Sequence, residues 1–148
     1  MQPGRRYFTY QLAMDLLPQV ISLLQSAMDA KAARLQSQTG LAAYKKRLVM
    51  AGGAFPNQNR LAAYADQAKT SHDALKRAVD QLHDLGLEVR DVEKGLIDFP
   101  AMYQGQPVYL CFQLGEQSIT HWHPADVGFD GRRPISQEFV DQLEAGLL

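Results

Sequence analysis

The chain has 148 residues, and its 15 Lys and Arg nearly balance its 16 Asp and Glu. A hydrophobic content of 46% with seven prolines and eleven glycines excludes a disordered chain, a collagen-like repeat and a highly charged nucleic-acid binder. The length suits one domain with two substructures. The single cysteine, Cys111, excludes a disulfide framework and a zinc site built from several cysteines, and it fits a reducing compartment.

No segment approaches the roughly 20 continuous apolar residues of a membrane-spanning helix. The opening Arg5-Arg6-Tyr7-Phe8 resembles a twin-arginine export signal. However, Gln11, Asp15 and Pro18 interrupt the apolar stretch that such a signal needs. We therefore expect a cytoplasmic protein with no membrane partner.

The charges are unevenly distributed along the chain. Residues 1–86 carry 11 basic and 6 acidic side chains, whereas residues 87–148 carry 4 and 10. The hydrophobic period also changes at Gly86, so we predict a helical hairpin over 1–86, packed in one domain with residues 87–148. Halves of opposite charge can attract each other or another copy. The densest basic segment, Lys45-Lys46-Arg47, lacks an aromatic platform, which makes nucleic acid an unfavoured partner.

The first predicted helix begins after Thr9, whose hydroxyl can accept a hydrogen bond from a first-turn N–H. Apolar residues then recur with a helical period. Pro18 removes one helical hydrogen bond and predicts a kink or restart. Gly40 marks a weak point before the helix resumes through Met50, and the segment 52–57 is a clear break.

The second predicted helix is capped by Asn59 and runs to about Leu85, with Gly86 as the left-handed residue past its end. Two long helices joined by a short loop form an antiparallel hairpin. Their apolar stripes are narrow and rich in alanine, which leaves surface for the helices of a second copy. We therefore expect a homodimer that forms through the hairpin.

Beyond Gly86 the hydrophobic period drops to two, which predicts three short strands at 96–101, 107–114 and 119–123. Two glycine-containing turns, Gln104-Gly105 and Gly115-Glu116, separate these strands. Together they predict a small antiparallel meander.

A last helix is predicted with Ser136 as its N-cap and with Phe139, Leu143 and Leu147 on one face. The predicted fold class is therefore α+β. It consists of a long antiparallel helical hairpin, a three-stranded antiparallel β-meander with a Gly/Arg loop, and a C-terminal helix.

Chemically active side chains are concentrated between residues 93 and 133. They are Glu93, Asp98, Cys111, Glu116, His121, His123, Asp126, Asp130, Arg132 and Arg133. His121 and His123 are two apart on a strand, so both imidazoles point to one face and could approach one metal ion. A third ligand would come from Asp98 or Glu116. The alternative is that both histidines are hydrogen-bonded structural residues beside Trp122.

The pairing register decides which of these groups meet. A two-residue loop in the first hairpin places Asp98 opposite Cys111. In the second hairpin, a three-residue loop over 115–117 places His121 beside Cys111, whereas a two- or four-residue loop turns the histidines to the apolar face. Even in the first case Asp98 and His121 flank a middle strand, about 9–10 Å apart at the backbone. A shared metal ion would then need side chains of long reach or a loop residue such as Glu116 or Asp126.

The Gly/Arg loop is the segment 128–134, which is shaped by two glycines and Pro134 and contains Arg132 and Arg133. Guanidinium groups form planar forks that bind carboxylate or phosphate. The Gly-Lys-Ser/Thr ending of a phosphate-binding P-loop is absent from it. Arg132 can therefore hold a small anionic ligand or pair with a carboxylate of the meander.

Several short motifs occur together in the chain: Phe8-Thr9, Gly95–Ala101, Val108–Cys111, Gly115-Glu116, Trp122-His123 and Gly131-Arg132-x-Pro134. As a set they resemble the bacterial family catalogued as domain of unknown function 2203. The resemblance spans nearly the whole chain and is specific over 95–134. By position it singles out Asp98, Cys111, Glu116, Trp122, His123, Gly128 and Arg132, but not His121. The resemblance therefore implies that these positions matter, but it implies no activity.

Two functional hypotheses follow. The first is a binding protein whose meander and Gly/Arg loop hold a divalent metal ion or a small anion. Its candidate ligand-binding residues are Asp98, Cys111, Glu116, Trp122 and Arg132, and its candidate metal ligands are His123, Glu116, Asp98 and His121. A metal-assisted enzyme is a sub-case, since a bound ion can activate water, but no reaction follows from the sequence. The second is a non-enzymatic structural or interaction module that self-associates through its hairpin.

Overall fold

A computed structural model describes residues 5–145 of the protein, with side chains for residues 5–143. Two helices come first, α1 (Tyr10–Met50) and α2 (Gln58–Asp84). The strands that follow are β1 (Glu88–Asp91), β2 (Leu96–Tyr103), β3 (Gln106–Gln113), β4 (His121–Pro124) and β5 (Arg133–Pro134). A 3₁₀ turn (Phe129–Gly131) precedes β5, and helix α3 (Gln137–Ala145) follows it. The architecture is α+β, as predicted.

Within the described residues 5–145 the sheet has five strands, so the prediction of three was wrong. Its order is β1-β2-β3-β4-β5, and all neighbours are antiparallel. The two unpredicted strands are the edges: β1 has a register shift between Val89 and Asp91, and β5 has two residues. Neither has the alternating run that identifies a strand in a sequence, because such short edge strands are defined by their pairing with a neighbour.

Helix α1 begins at the predicted cap, where the Thr9 hydroxyl accepts a hydrogen bond from the Leu12 N–H at 3.1 Å. The helix continues through Pro18 without a restart. Proline removes a single helical hydrogen bond, and Leu17 and Val20 on either side of it are buried in the core. Tertiary packing therefore maintains the helix across the proline.

Gly40 is also inside α1 and is not a break, because it allows close contact with α2. A Cβ atom at this position would lie 2.8 Å from the Tyr64 ring. The Ser37 hydroxyl donates to the Tyr64 carbonyl, and the Tyr44 hydroxyl accepts from the Asn57 N–H, so the two helices run antiparallel. The predicted hairpin is confirmed.

Two predicted helix ends can be compared directly. The cap of α2 is Asn57 rather than Asn59, because the Asn57 side chain accepts from the Arg60 N–H at 3.1 Å. Past α2, Gly86 has the expected left-handed conformation with φ of 97°. The division of the chain at residue 86 stays a prediction.

The C-terminal helix has the predicted cap, since the Ser136 hydroxyl accepts from the Phe139 N–H at 3.1 Å. Phe139 and Leu143 are buried on its inner face. Leu147 lies outside the described residues. This helix packs on the same face of the sheet as α1.

The first hairpin has the predicted register, with Asp98 opposite Cys111 and Tyr103 opposite Gln106. Its two loop residues, Gln104 and Gly105, both have positive φ, as in the type I′ turns that suit two-residue loops. In the second hairpin Cys111 lies opposite His121. That is the register expected from a three-residue loop, although the unpaired segment before β4 is longer.

The core lies between one face of the sheet and the helices. Alternate strand residues such as Ile97, Phe99 and Leu110 are fully buried there against the N-terminal part of α1. Beyond Ala30, the buried residues of α1 are Ser37 and Tyr44. We use the name "arm" for residues 38–65, the end of the hairpin that extends past this core.

Candidate functional site

A polar cluster lies on the face of the sheet turned away from the core. Asp98 on β2 is directly opposite Cys111 on β3, and His123 on β4 lies opposite Tyr109, so strand alternation sends all three to this outer face. The three side chains are nevertheless buried: Asp98 and His123 are 3% and 4% exposed. Buried polar groups require partners, which the neighbouring elements supply.

A cavity of about 260 Å³ adjoins the cluster. Its lining combines the three polar residues with Arg90 and with apolar surface from β2 and the loop after β4. The apolar lining includes Leu96, Ala125, Val127, Gly128 and Phe129. The Gly/Arg loop therefore contributes to this site through its glycine and phenylalanine.

Asp98 accepts two hydrogen bonds on one oxygen. Its Oδ2 lies 3.1 Å from His123 Nε2 and 2.8 Å from Arg90 Nε. Arg90 also donates to Glu88, two residues away on β1. The half-exposed Arg90 thus connects the buried carboxylate to the surface. Because β1 was not recognised in the sequence, the role of Arg90 was missed.

His123 has an acceptor at each ring nitrogen. Its Nδ1 lies 2.9 Å from the Pro124 carbonyl oxygen, which can only accept, so Nδ1 carries a proton. Its Nε2 donates to Asp98. The hydrogen bond to Asp98 and the contact with Cys111 raise the pKa of His123 to about 10, and their combined effect exceeds the opposing effect of burial. In the metal-free protein His123 is therefore an imidazolium at neutral pH.

The cluster also has the composition of a metal site. One ligand atom from each of Asp98, Cys111 and His123 can be chosen so that all lie within 4.8 Å of one another. Oxygen and nitrogen ligands about 2.0–2.1 Å from a tetrahedral zinc ion are about 3.3 Å apart, close to the observed Asp98–His123 separation. The hydrogen bond from His123 Nδ1 to a backbone carbonyl is the kind that orients metal-binding imidazoles.

Glu116 and Arg132 form a separate pair. Arg132 Nη2 donates to both Glu116 carboxylate oxygens, at 2.9 and 3.1 Å, and lies 3.4 Å from the Cys111 carbonyl oxygen. Glu116 also accepts from the Gln113 N–H at 2.7 Å. The Arg132 guanidinium lies over the Phe129 ring at 4.6 Å. This pair connects the turn after β3 to the loop that lines the cavity.

The structure does not bring His121 or Trp122 into the cluster. His121 shares the outer face, but its Nδ1 lies 2.8 Å from the Thr120 hydroxyl. Trp122 lies on the core face and stacks on Phe139 with ring centroids 4.5 Å apart. Of the candidate residues, the structure therefore joins Asp98, Cys111 and His123 and keeps Glu116 with Arg132.

The remaining charged candidates lie outside the cluster. Glu93 pairs with Lys31 at 3.3 Å, and Arg133 lies over the Trp122 ring at 5.2 Å. Asp126 and Asp130 are exposed. All four of these residues are exposed, and none of them lines the cavity beside the cluster.

Within residues 5–145, no helix is both long enough and apolar enough to cross a membrane. Comparison with curated proteins and comparison with solved structures each gave no match. A family model does match residues 6–135, nearly the whole described chain, including every residue of the polar cluster. The chain therefore belongs to DUF2203, a family described as an uncharacterized conserved protein.

Proposed function

We propose that the protein binds a divalent transition metal ion, with Zn²⁺ as the best match, through Asp98, Cys111 and His123. The observation that carries the proposal is the buried meeting of a carboxylate, a thiol and an imidazole within 4.8 Å. Zinc accepts all three ligand types. Structural zinc sites are closed by four protein ligands, whereas catalytic sites have three and keep one position open. Three protein ligands beside a cavity match the catalytic type. A water molecule in that position would be activated by the ion.

Binding requires the loss of protons from the site. A metal ion and a proton compete for the same atom, His123 Nε2, and the Cys111 thiol must become a thiolate. Arg90 can keep its hydrogen bond to Asp98 and hold the carboxylate in place as a partner outside the coordination sphere. The affinity for metal should therefore increase with pH.

Cobalt is the most direct probe of this site. The protein is treated with a chelator, dialysed under reducing conditions and titrated with Co²⁺ at mildly alkaline pH. We expect visible bands of tetrahedral cobalt and a near-ultraviolet thiolate-to-cobalt band. Because Cys111 is the single cysteine, the thiolate band can come from no other residue of the chain. Zn²⁺ should displace the cobalt.

Matched variants locate the ligands. Cys111→Ala should remove the thiolate band. Asp98→Asn and His123→Gln should each weaken Co²⁺ binding by at least about 10- to 100-fold, because losing even an outer-shell partner costs that much. His121→Gln is the control, because it removes a neighbouring imidazole of the same face that lies outside the cluster. Absence of the thiolate band in the wild type, or its persistence in Cys111→Ala, would refute the proposal. A thermal shift with phosphate and none with metals would instead favour the small-anion form of the hypothesis.

The proposal includes a cytoplasmic location. A thiol ligand must stay reduced, and the cytoplasm is the compartment that keeps a lone cysteine in that state. The buried position of Cys111 further limits its oxidation. Fractionation of cells that express the tagged full-length chain tests the location.

A second candidate function, an interaction module, is supported by the exposed apolar residues of the hairpin. Leu35, Val49, Met50 and Phe55 are 61–98% exposed. From the sequence, the expected partner is a second copy that packs against the helices. Light scattering over tens of micromolar down to nanomolar protein tests this form. A strict monomer throughout would refute self-association.

A further inference from the structure

The tip of the arm presents large apolar side chains to solvent. Phe55 is 98% exposed, and Met50 and Val49 are 77% and 75% exposed. They lie at the end of α1 and in the loop that joins it to α2. Isolated exposed apolar residues are common on proteins, but three at one projecting end indicate a contact surface.

Hydrogen bonds fix the loop between α1 and α2 on both sides of Phe55, so the conformation of the loop keeps this side chain exposed. Gly52 and Gly53 both have positive φ, and their N–H groups donate to carbonyls in the last turn of α1. On the other side of Phe55, the Asn57 N–H donates to the Tyr44 hydroxyl at 2.7 Å. The chain is thus anchored on both sides of the apolar residue.

The charge around this tip has one sign. No acidic residue occurs between Asp29 and Asp66, whereas the arm contains Lys45, Lys46, Arg47 and Arg60. All four are exposed. Two arms laid side by side would therefore bring like charges together, which disfavours the arm-to-arm homodimer and favours an anionic partner.

We propose that the tip of the arm binds an anionic lipid surface, with Phe55, Met50 and Val49 entering the interface and the four cations contacting phosphate-bearing headgroups. This inference rests on the second candidate function, the interaction module. A projecting apolar tip needs a receiving pocket on a protein partner, whereas a bilayer interface receives it without one. The expectation of no membrane partner rested on the lack of a spanning segment, which surface binding does not require.

Vesicle cosedimentation of the full-length protein is the test. The vesicles contain phosphatidylcholine alone or phosphatidylcholine mixed with phosphatidylserine. Because each basic residue near an anionic surface strengthens binding roughly fivefold, we expect at least tenfold stronger partitioning into the anionic vesicles. Raising the salt from about 0.1 M to about 0.5 M should abolish most of it.

Two variants of the tip separate the two contributions. Reversing Lys45–Arg47 to glutamates should reduce binding more than 100-fold, and Phe55→Ser should reduce it several-fold without changing the net charge. The matched controls are Lys69→Glu, an exposed cation of α2 outside the arm, and Leu12→Ser, an exposed apolar residue at the other end of α1. Both should bind like the wild type, and all variants should keep the circular dichroism of the wild type.

Equal binding to neutral and anionic vesicles, or no binding to either, would overturn the lipid proposal. Two parallel measurements test whether the arm still acts as an interaction module with another partner if it does not bind lipid. Loss of a dimer in light scattering on reversal of Lys45–Arg47 would assign the tip to a second copy. A gel shift with RNA but no vesicle binding would assign it to nucleic acid. Either outcome replaces the lipid surface and leaves an interaction module.

Discussion

At the scale of single residues, His123 links the stability of the fold to pH. Its pKa is raised from 6.5 to about 10 in the folded protein, chiefly by the hydrogen bond to Asp98. The stabilisation is fully present below about pH 6.5, where both folded and unfolded forms are protonated, and is lost as the pH rises through about 10. We expect the free energy of unfolding of the metal-free protein to fall by about 2–5 kcal/mol over this window.

Urea unfolding at a series of pH values, with a chelator present, measures this loss. The control is His123→Gln, whose amide can still donate to Asp98 but cannot titrate. The free energy of unfolding of the variant should not show the part of the fall with pH that comes from His123. Plots of this free energy against pH for the wild type and the variant should therefore converge toward pH 10. Parallel curves over the whole range would contradict the assignment.

A second residue-scale prediction concerns Gly95, which precedes β2. It has φ of 68°, and an added Cβ would lie 2.7 Å from the Leu114 Cβ. Gly95→Ala should therefore combine left-handed strain with a steric clash and destabilise the fold by about 2–4 kcal/mol. Gly53→Ala is the control, since its φ is 80° but no atom lies within 4 Å of the added Cβ. Denaturant unfolding of both variants checks this, and equal losses would rule out the clash.

At the scale of elements, the loop from β4 to β5 depends on the Arg132–Glu116 pair. The Arg132 side chain is 15% exposed. Its removal would leave the Glu116 carboxylate without its ion-pair partner and would remove the guanidinium that packs over the Phe129 ring. Arg132→Ala should destabilise the fold by about 1–3 kcal/mol. It should also weaken Co²⁺ binding, because the same loop lines the cavity.

The control for this prediction is Arg133→Ala. Arg133 is exposed and lies over the Trp122 ring, so its loss should cost less than about 1 kcal/mol. Thermal unfolding and cobalt titration of the two variants provide the comparison. An Arg132→Ala protein that matches Arg133→Ala in both measurements would show that the pair does not hold the loop.

The elements also show how far local sequence patterns extend. The register of β2 with β3 could be predicted, because the two-residue turn and the alternation of apolar residues agree on a single pairing. For β4 the same reasoning left three loop lengths open, which place the histidines on one face of the sheet or the other. The longer segment before β4 is held through Glu116, which accepts locally from the Gln113 N–H and, from across the fold, a hydrogen bond donated by Arg132. The edge strand β1 carried no period of its own, so Arg90 was missed.

At the scale of the whole molecule, stability should be unevenly distributed. The N-terminal part of α1 and strands β2 and β3 share the core, whereas Tyr44 is the one buried residue within the arm. Amide groups of β2 and β3 should therefore exchange with solvent at least ~100-fold more slowly than those of the arm, because the arm can open locally. Hydrogen-exchange mass spectrometry measures this. Uniform protection would show that the hairpin and sheet open only together.

The sequence alone determined the helices, their Thr9 and Ser136 caps and the first β-hairpin, because helical period, capping chemistry and turn residues act over a few positions. Tertiary structure decided which polar groups meet. His123 contacts Asp98 across an intervening strand, and Arg132 pairs with Glu116 rather than with another of the many carboxylates. No local sequence pattern predicts either pairing, because the partners are brought together by the fold. The basic segment of the arm was visible in the sequence, but whether Phe55 was buried or exposed depended on where the core ends.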